Sequence, residues 1–521
     1  MASNLPPPAP NHTRHILSPE SELRIEVPFG ITCTVTLRGG GASSSGNSNS
    51  GSAEIFGAEI APERPIRLTA TKVAIFTWHG CTLDVSDEDK LDIVYVSEET
   101  DANVAYVNTH AQLEAMRDEA LGSLLPATNP QQGMLSDKND GENDTDNVEG
   151  PRVLLVGPAD CGKSSLARVL SSYAVKLGRT PLVVDLDASH NMLSVPGTLV
   201  ACPISADGIT AESNGTASLM SGGGGGNAVM PFVLWYGSQD LNDHPDLYKA
   251  QIEKMGNIID GRLSGDVDAR ASGIIVNASG LIEDVGYTYL LHAIEALRIN
   301  VVLVLGHDRL YSMLGTHFKK QAQQQNEEAT DAIIMTKQPK VIKLPRSGGV
   351  VSRDAAFRRA LRSQCIKRYF YGDSIPPKPT DTNPTSTSAS TASSQYRFTP
   401  SLIEVPFADV QLHKLSNISL SASMLPVSAK QSTDPIQLTT LSSSDITPKF
   451  QHAVFAVCHP SAVEKYEQSG RARDLYLSGV AGFVAVEKVD VNKEVLSLLS
   501  PCAGSLPSQH LLVGDNITWV E

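Results

Sequence analysis

The sequence predicts a multidomain α/β protein: a central doubly wound parallel sheet, an N-terminal β-sandwich domain before it and a C-terminal α+β domain after it. Three observations carry that reading. Short alternating apolar runs fill both ends of the chain. In the middle, buried-looking apolar runs alternate with helical patterns. Two polar, low-complexity stretches separate the three regions.

Residues 1–14 read as a disordered tail. MASNLPPPAPNHTRH has no apolar core, so no signal peptide is expected there. Residues 15–122 form the first domain. Strands are expected at Leu23–Val27, Thr32–Leu37, Glu54–Ile60, Lys72–Trp78, Asp92–Val96 and Val104–Asn108, with a helix over His110–Leu121. Turn pairs such as Phe29-Gly30 and His79-Gly80 separate the strands, and a Gly/Ser insertion at 39–52 interrupts them. An acidic linker is expected at 123–150.

Residues 151–372 change character. The runs Val153–Val156, Leu182–Leu186, Phe232–Trp235, Ile274–Val276 and Val301–Leu305 read as buried parallel strands, and glycine-rich 213–227 as a loop insertion. A Pro/Ser/Thr linker at 373–396 leads to residues 397–521. There the expected strands are Leu402–Val405, Ala453–Val457, Gly482–Val489, Leu511–Val513 and Ile517–Val520.

Bulk properties narrow the function. A chain of 521 residues exceeds one ordinary domain, and 41% hydrophobic content supplies real cores. The net charge of −15 excludes a broadly basic nucleic-acid coat. Cysteines 33, 81, 161, 202, 365, 458 and 502 are odd in number and never spaced C-x-x-C, against a disulfide framework or a zinc site. No apolar run approaches the length of a membrane span.

The strongest local signal is Gly157-Pro158-Ala159-Asp160-Cys161-Gly162-Lys163-Ser164, which fits G-x-x-x-x-G-K-[ST]. An apolar strand precedes it and a helical pattern (Leu166, Val169, Leu170, Tyr173, Ala174) follows, the setting of a P-loop in a nucleoside-triphosphate-binding domain. Glycines let the backbone curl so that several N–H groups converge on one anion, and the following helix adds its positive end. Gly157, Asp160, Cys161, Gly162, Lys163, Ser164 and Ser165 are therefore the expected phosphate-binding residues. Lys163 would reach the β/γ-phosphates of ATP or a close relative, and the Ser164 hydroxyl would ligate Mg²⁺. The alternative is a glycine-rich strand–helix turn that binds nothing.

Two further pieces fit beside it. Leu182-Val183-Val184-Asp185-Leu186-Asp187 is a strand ending in carboxylate, and Asp187 is the expected second Mg²⁺ residue. Asp185 points to the opposite face from its strand neighbours and is set aside; a plain strand end with a solvated acid is the competing view. Lys340–Arg368 holds nine basic residues against one acid, Asp354. Ser347-Gly348-Gly349 is followed by a helix starting near Arg353, a hinge and arm suited to a lid over phosphates. A solvated basic helix face is the bland alternative. No N-K-x-D guanine signature is present.

The sequence resembles the eukaryotic Clp subunit of the pre-mRNA cleavage and polyadenylation machinery, a relative of polynucleotide 5′-hydroxyl kinases. The residues that carry the resemblance are Ser21-Glu22-Leu23-Arg24, Ala53–Gly57, Lys72–Gly80, Tyr106–His110, the P-loop, Pro196-Gly197-Thr198 and Ser347–Val351. The resemblance implies that the N-terminal domain lies over the nucleotide base, with Glu22 and Lys72 at the base-contacting positions. Read as plain strand residues, both would be solvent-exposed. It also implies that Arg353 and Arg358 are lid arginines and, with Asp187, the catalytic set of an active member. They lie five apart, so Arg353 is expected to precede the helix.

The sequence departs from the active kinases at two places. Their Asp-Val-Gly-Gln is Asp187-Ala188-Ser189-His190 here, and the tryptophan after their Thr-x-Gly-like motif is Leu281. A leucine has no π-face for a base, where stacking contributes about 1–3 kcal/mol. The expectation is a fungal-type, non-enzymatic scaffold of cleavage factor IA, holding ATP and Mg²⁺ structurally. Its partners would be other subunits of the nuclear cleavage and polyadenylation factor, with pre-mRNA contacted weakly or indirectly and no membrane. The alternative is a polyribonucleotide 5′-hydroxyl kinase.

Overall fold

The structure, a computed structural model, describes residues 11–39, 51–124, 148–205, 209–211, 230–328, 338–372, 374–375, 395–396, 398–416 and 436–519. Most of the expected tail, the 39–52 and 213–227 insertions and both linkers lie outside them. The chain divides into two compact units. The first comprises residues 1–186, 201–218 and 255–353; the second comprises 187–200, 219–254 and 354–521.

The first unit begins with a sheet of β1 (His12–Leu17), β2 (Ser21–Leu37), β3 (Glu54–Ile55), β4 (Ala58–Glu59), β5 (Ile66–Thr77), β6 (Cys81–Ser86) and β7 (Ile93–Ser97). Strand order is β1-β6-β2-β5-β3-β4, with β7 also on β2. The two expected strands Leu23–Val27 and Thr32–Leu37 are one 17-residue strand. Its register slips between Val27 and Thr32, where Gly30 has φ 83°. The first half pairs with β7, the second with β6, so one strand serves both layers. Leu23, Ile25, Val27, Cys33, Val35 and Leu37 are all buried in the common core.

Three expectations are corrected here. Strand β1 starts at His12, three residues inside the expected tail. Glu54–Ile60 is a hairpin of two short strands rather than one strand. Val104–Asn108 lies within helix α1 (Asp101–Leu124). Five residues cannot distinguish a period of two from one of 3.6. The buried set Ala102, Tyr106, Thr109, Leu113, Arg117 and Ala120 recurs every three to four residues, which is helical. Buried Arg117 donates from Nε to Ser272 O at 3.0 Å and pairs with Glu114.

The central strands are β8 (Arg152–Val156), β9 (Leu182–Asp185), β10 (Thr198–Pro203), β11 (Phe232–Trp235), β12 (Ile274–Asn277), β13 (Val301–Leu305) and β14 (Lys340–Leu344). Five of them pair in parallel in the order β9-β12-β8-β13-β14. The intervening helices are α2 (Lys163–Lys176), α3 (Pro245–Gly265), α4 (Val267–Ser272), α5 (Val285–Ala296) and α6 (Asp308–Glu328). Residues Val153–Val156 and Val302–Leu305 have no exposed surface, as strands covered on both faces require. Strand β14 was missed in the sequence because its lysines hid an edge strand.

The second unit holds α7 (Ala355–Tyr371), the two-residue pair β15 (Ser374–Ile375) and β16 (Gln395–Tyr396), and a C-terminal sheet. That sheet contains β17 (Ser401–Pro406), β18 (Gln411–Leu415), β19 (Leu438–Leu441), β20 (Ala453–Cys458), β21 (Val480–Asp490), β22 (Val495–Ser500) and β23 (His510–Thr518), with helices α8 (Pro460–Ser469) and α9 (Arg473–Tyr476). The expected Leu511–Val513 strand and the first two residues of the expected Ile517–Val520 strand belong to β23, and Val520 lies outside the described residues. The order is β17-β22-β21-β20-β23-β18-β19, antiparallel except where β18 meets β23.

A histidine pair bridges that parallel junction. His413 Nε2 lies 2.9 Å from His510 Nδ1, and His413 Nδ1 lies 3.0 Å from Thr440 Oγ1. Burial, reinforced by His510, pushes the His413 pKa down to about 4. The folded state therefore binds fewer protons than the unfolded state between about pH 6.5 and 4. Stability is full above the unfolded value and falls as pH drops through this window, by up to roughly 3 kcal/mol. Thermal unfolding of the C-terminal unit at pH 7.5 and 5 should show that loss, and His413→Gln should flatten it.

Candidate nucleotide site

Strand β8 delivers the chain into the 157–164 turn, and the turn's geometry explains its residues. A Cβ on Gly157 would lie 2.7 Å from Cys161 Sγ and 3.0 Å from Leu305 O. Gly162 has φ 98°, and a Cβ there would meet Val350 Cγ2 at 3.0 Å. Gly162 is also the N-cap of α2 and provides no side-chain acceptor. The first intrahelical bond runs from Leu166 N to Gly162 O at 2.9 Å. The N–H groups of Lys163, Ser164 and Ser165 therefore precede the helical ladder, as an anion site requires. Lys163 is 6% exposed, and its Nζ donates to Gly157 O at 2.9 Å and Pro158 O at 2.8 Å. The ammonium is thus held at the lip of the turn.

The segment 347–353 crosses this turn. Asp160, at φ 53°, accepts the Arg353 N–H on Oδ2 at 3.1 Å. On its other side the segment runs against β2. A Cβ on Gly348 would lie 2.9 Å from Arg24 Nη2, and one on Gly349 would lie 3.4 Å from Glu22 Oε1. With glycine at 348 the backbone lies against the guanidinium, and a side chain there would have to displace it. Glu22, Arg353, Asp160 and Gly162 are thereby linked through one strap.

Glu22 is buried, contrary to the plain strand reading, with Oε1 accepting from Arg24 Nε at 2.6 Å. Lys72 is four rungs along the ladder from the Glu22 position, opposite Glu26, and its Nζ lies 2.6 Å from Glu26 Oε2. The N-terminal sheet also grips α2: Tyr173 OH donates to buried Glu54, and Lys176 pairs with Glu54 and Glu59.

Asp185, which the sequence reading set aside, is joined to Ser164 through a single amide. Asp185 closes β9 and is fully buried. Its Oδ1 accepts from Asn277 Nδ2 at 2.9 Å, and the same Nδ2 lies 3.3 Å from Ser164 Oγ. Asp187 falls two residues beyond the strand, in the second unit. There its Oδ1 accepts from Ser189 N and Oγ, each at 3.1 Å, and from His190 N at 3.3 Å. Arg353 precedes α7, whose N-cap is Asp354, as its spacing required. Arg358 lies in the first turn of α7, in the second unit with Asp187. The far end of that helix is fixed: Phe370 is buried and stacks on Trp519, while Phe483 N donates to Tyr369 OH.

Ser164 Oγ is an oxygen donor of the kind a hard divalent cation takes, and Asp185 stands behind it through the Asn277 amide. Among the described residues no group of three His, Cys, Asp or Glu could hold a metal by itself. Mg²⁺ needs no such cage, because it keeps waters and takes phosphate oxygens. The seven cysteines are unbridged, and no described helix is long and apolar enough to cross a membrane.

Comparison with known proteins places these parts together. The family model for the mRNA cleavage and polyadenylation factor CLP1 P-loop matches residues 157–372. The N-terminal beta-sandwich domain of polyadenylation factor matches 16–120, and the pre-mRNA cleavage complex II protein Clp1 model matches 398–521. The mRNA cleavage and polyadenylation factor clp1 of Aspergillus niger is 33% identical, covering 94% of this chain and 92% of that protein. The polyribonucleotide 5′-hydroxyl-kinase Clp1 of Danio rerio is 32% identical over 96% and 93%. A solved Clp1p–Pcf11p complex aligns with TM-score 0.71 at 25% identity, covering 97% of this chain and 98% of that one.

Proposed function

Since the chain belongs to the Clp1 family of mRNA cleavage and polyadenylation factors, we propose that it is a nuclear scaffold subunit of the 3′-end processing machinery that holds ATP, with Mg²⁺, as a structural ligand. The observation that carries this is the strap at 347–353. One segment bonds the P-loop through Asp160 and packs against Arg24 and Glu22 of the N-terminal sheet. A polyphosphate on the α2 amides would lie beside a junction of three elements and stabilise all of them by mass action. Lys163 would neutralise its charge and Ser164 would take the cation. Leu281, 38% exposed, offers no aromatic face for an RNA base. Asp187, bound into its own turn by three donors, has a structural task that competes with activating a hydroxyl. The partners in this reading are other subunits of the cleavage factor, as the Clp1p–Pcf11p complex illustrates for its own chain.

The second reading is a polyribonucleotide 5′-hydroxyl kinase, favoured by the retained Lys163, Asp187, Arg353 and Arg358 and by the name of the zebrafish relative. Incubating the full chain with 5′-hydroxyl RNA and γ-labelled ATP separates the two. The scaffold reading expects no label on RNA even at stoichiometric protein. Transfer that depends on Asp187 and Arg358 would establish the kinase instead.

A further inference from the structure

We propose that Asn277, held in orientation by Asp185, is a positioning residue for the Ser164 hydroxyl, presetting the lone pair that a divalent cation takes. The inference rests on the nucleotide-holding reading above and goes one layer deeper into the same site.

The three residues come from the carboxyl ends of adjacent elements. Asn277 ends β12, Asp185 ends β9 in register with it, and Ser164 opens α2. The ends of parallel strands are where open α/β sheets place their ligands. Asn277 and Asp185 have no exposed surface. Asp185 Oδ1 accepts from Asn277 Nδ2 at 2.9 Å, which turns the amide nitrogen inward. That nitrogen has a second hydrogen, and it lies 3.3 Å from Ser164 Oγ. A serine hydroxyl is otherwise a free rotor with two equivalent lone pairs. A fixed donor on one of them leaves the other, and the O–H, pointed at the phosphate side.

The amide's other atom strengthens the case. Asn277 Oδ1 is buried and has no hydrogen-bond partner among the described residues. An orphaned acceptor is a cost that an apolar side chain would avoid, and such groups in native structures call for an explanation. Flipping the amide would satisfy nothing, because Oδ1 would then oppose the Asp185 carboxylate. The residue keeps an unmatched oxygen in order to present two donors, one to Asp185 and one to Ser164.

The test is release of a fluorescent ATP analogue, mant-ATP, from the full-length protein in Mg²⁺ and in EDTA. In wild type Mg²⁺ should slow release. Ser164→Ala, Asn277→Ala and Asp185→Ala should each shrink that Mg²⁺-dependent ratio by about tenfold, the lower end for outer-sphere partners of bound metals. The rates of Asn277→Ala and Asp185→Ala in EDTA should match wild type. Asp185→Asn, whose side-chain carbonyl still accepts, should retain the ratio, and Asn277→Ala should add nothing to Ser164→Ala. If Asn277→Ala and Asp185→Ala keep the full ratio while Ser164→Ala loses it, the proposal is wrong and the nucleotide site stands. Equal acceleration in Mg²⁺ and EDTA would also overturn it, since that marks a merely structural loss. A wild type that retains no mant-ATP overturns the nucleotide reading itself. Should Asn277→Ala fail to fold, the contrast between Asp185→Ala and Asp185→Asn decides alone.

Discussion

Lys163→Ala should release the nucleotide and lower the thermal midpoint of the first unit by on the order of 10 °C. A ligand at a thousand times its Kd adds about 4 kcal/mol to the folded state. For a unit of this size each kcal/mol moves the midpoint by roughly 2–4 °C. Lys163 is the one cation of the 157–164 turn, so its loss leaves the phosphates without a counter-charge inside the loop. The lysine also bonds two carbonyls of the turn, so the variant carries a small intrinsic effect. Stripping nucleotide from both proteins before melting separates the two contributions. Most of the gap should close. A gap that persists in full would mean that Lys163 serves the turn and not a ligand.

Arg152→Ala should cost about 3–5 kcal/mol and leave the ATP-dependent increment intact, the opposite signature. Arg152 begins β8, is 1% exposed, and has carboxylates on two sides: Glu149 Oε2 at 2.7 Å from Nε and Asp260 Oδ1 at 2.7 Å from Nη2. Nη1 also donates to Leu297 O at 3.0 Å. Truncation would leave two partly buried carboxylates facing Arg298, the one other cation paired with them among the described residues. Chemical denaturation with and without Mg-ATP checks this. Both curves should shift by the same amount. A loss of the ATP increment as well would place Arg152 in the ligand's support.

The contrast between these variants reflects what could be read from the chain. The P-loop was legible because its chemistry is local: glycines, a lysine and a serine within eight residues of one strand. The five parallel strands were mostly legible because burial on both faces leaves unbroken apolar runs. Strand β14 was not, since Lys340 and Lys343 on an edge resemble a surface segment. Val104–Asn108 was misread because a short amphipathic stretch fits either period.

The finer site was less legible for a different reason. Asp187 drew attention through its spacing from Lys163, whereas the Asp185–Asn277 bond spans 92 residues and leaves no local pattern. Asn277 carried no motif by itself. Arg24 was visible only as part of Ser-Glu-Leu-Arg, and nothing local showed that its guanidinium holds Glu22 beneath the glycines of the strap. Long-range pairing decides these positions, and a single sequence does not display it.

The central claim is that the P-loop holds ATP as a lasting part of the folded protein. The most direct measurement is the nucleotide content of protein purified without added nucleotide, denatured and resolved by ion-exchange chromatography. Close to one ATP per chain, not hydrolysed to ADP and absent from Lys163→Ala, is the expected result. A nucleotide-free protein of undiminished stability would contradict it.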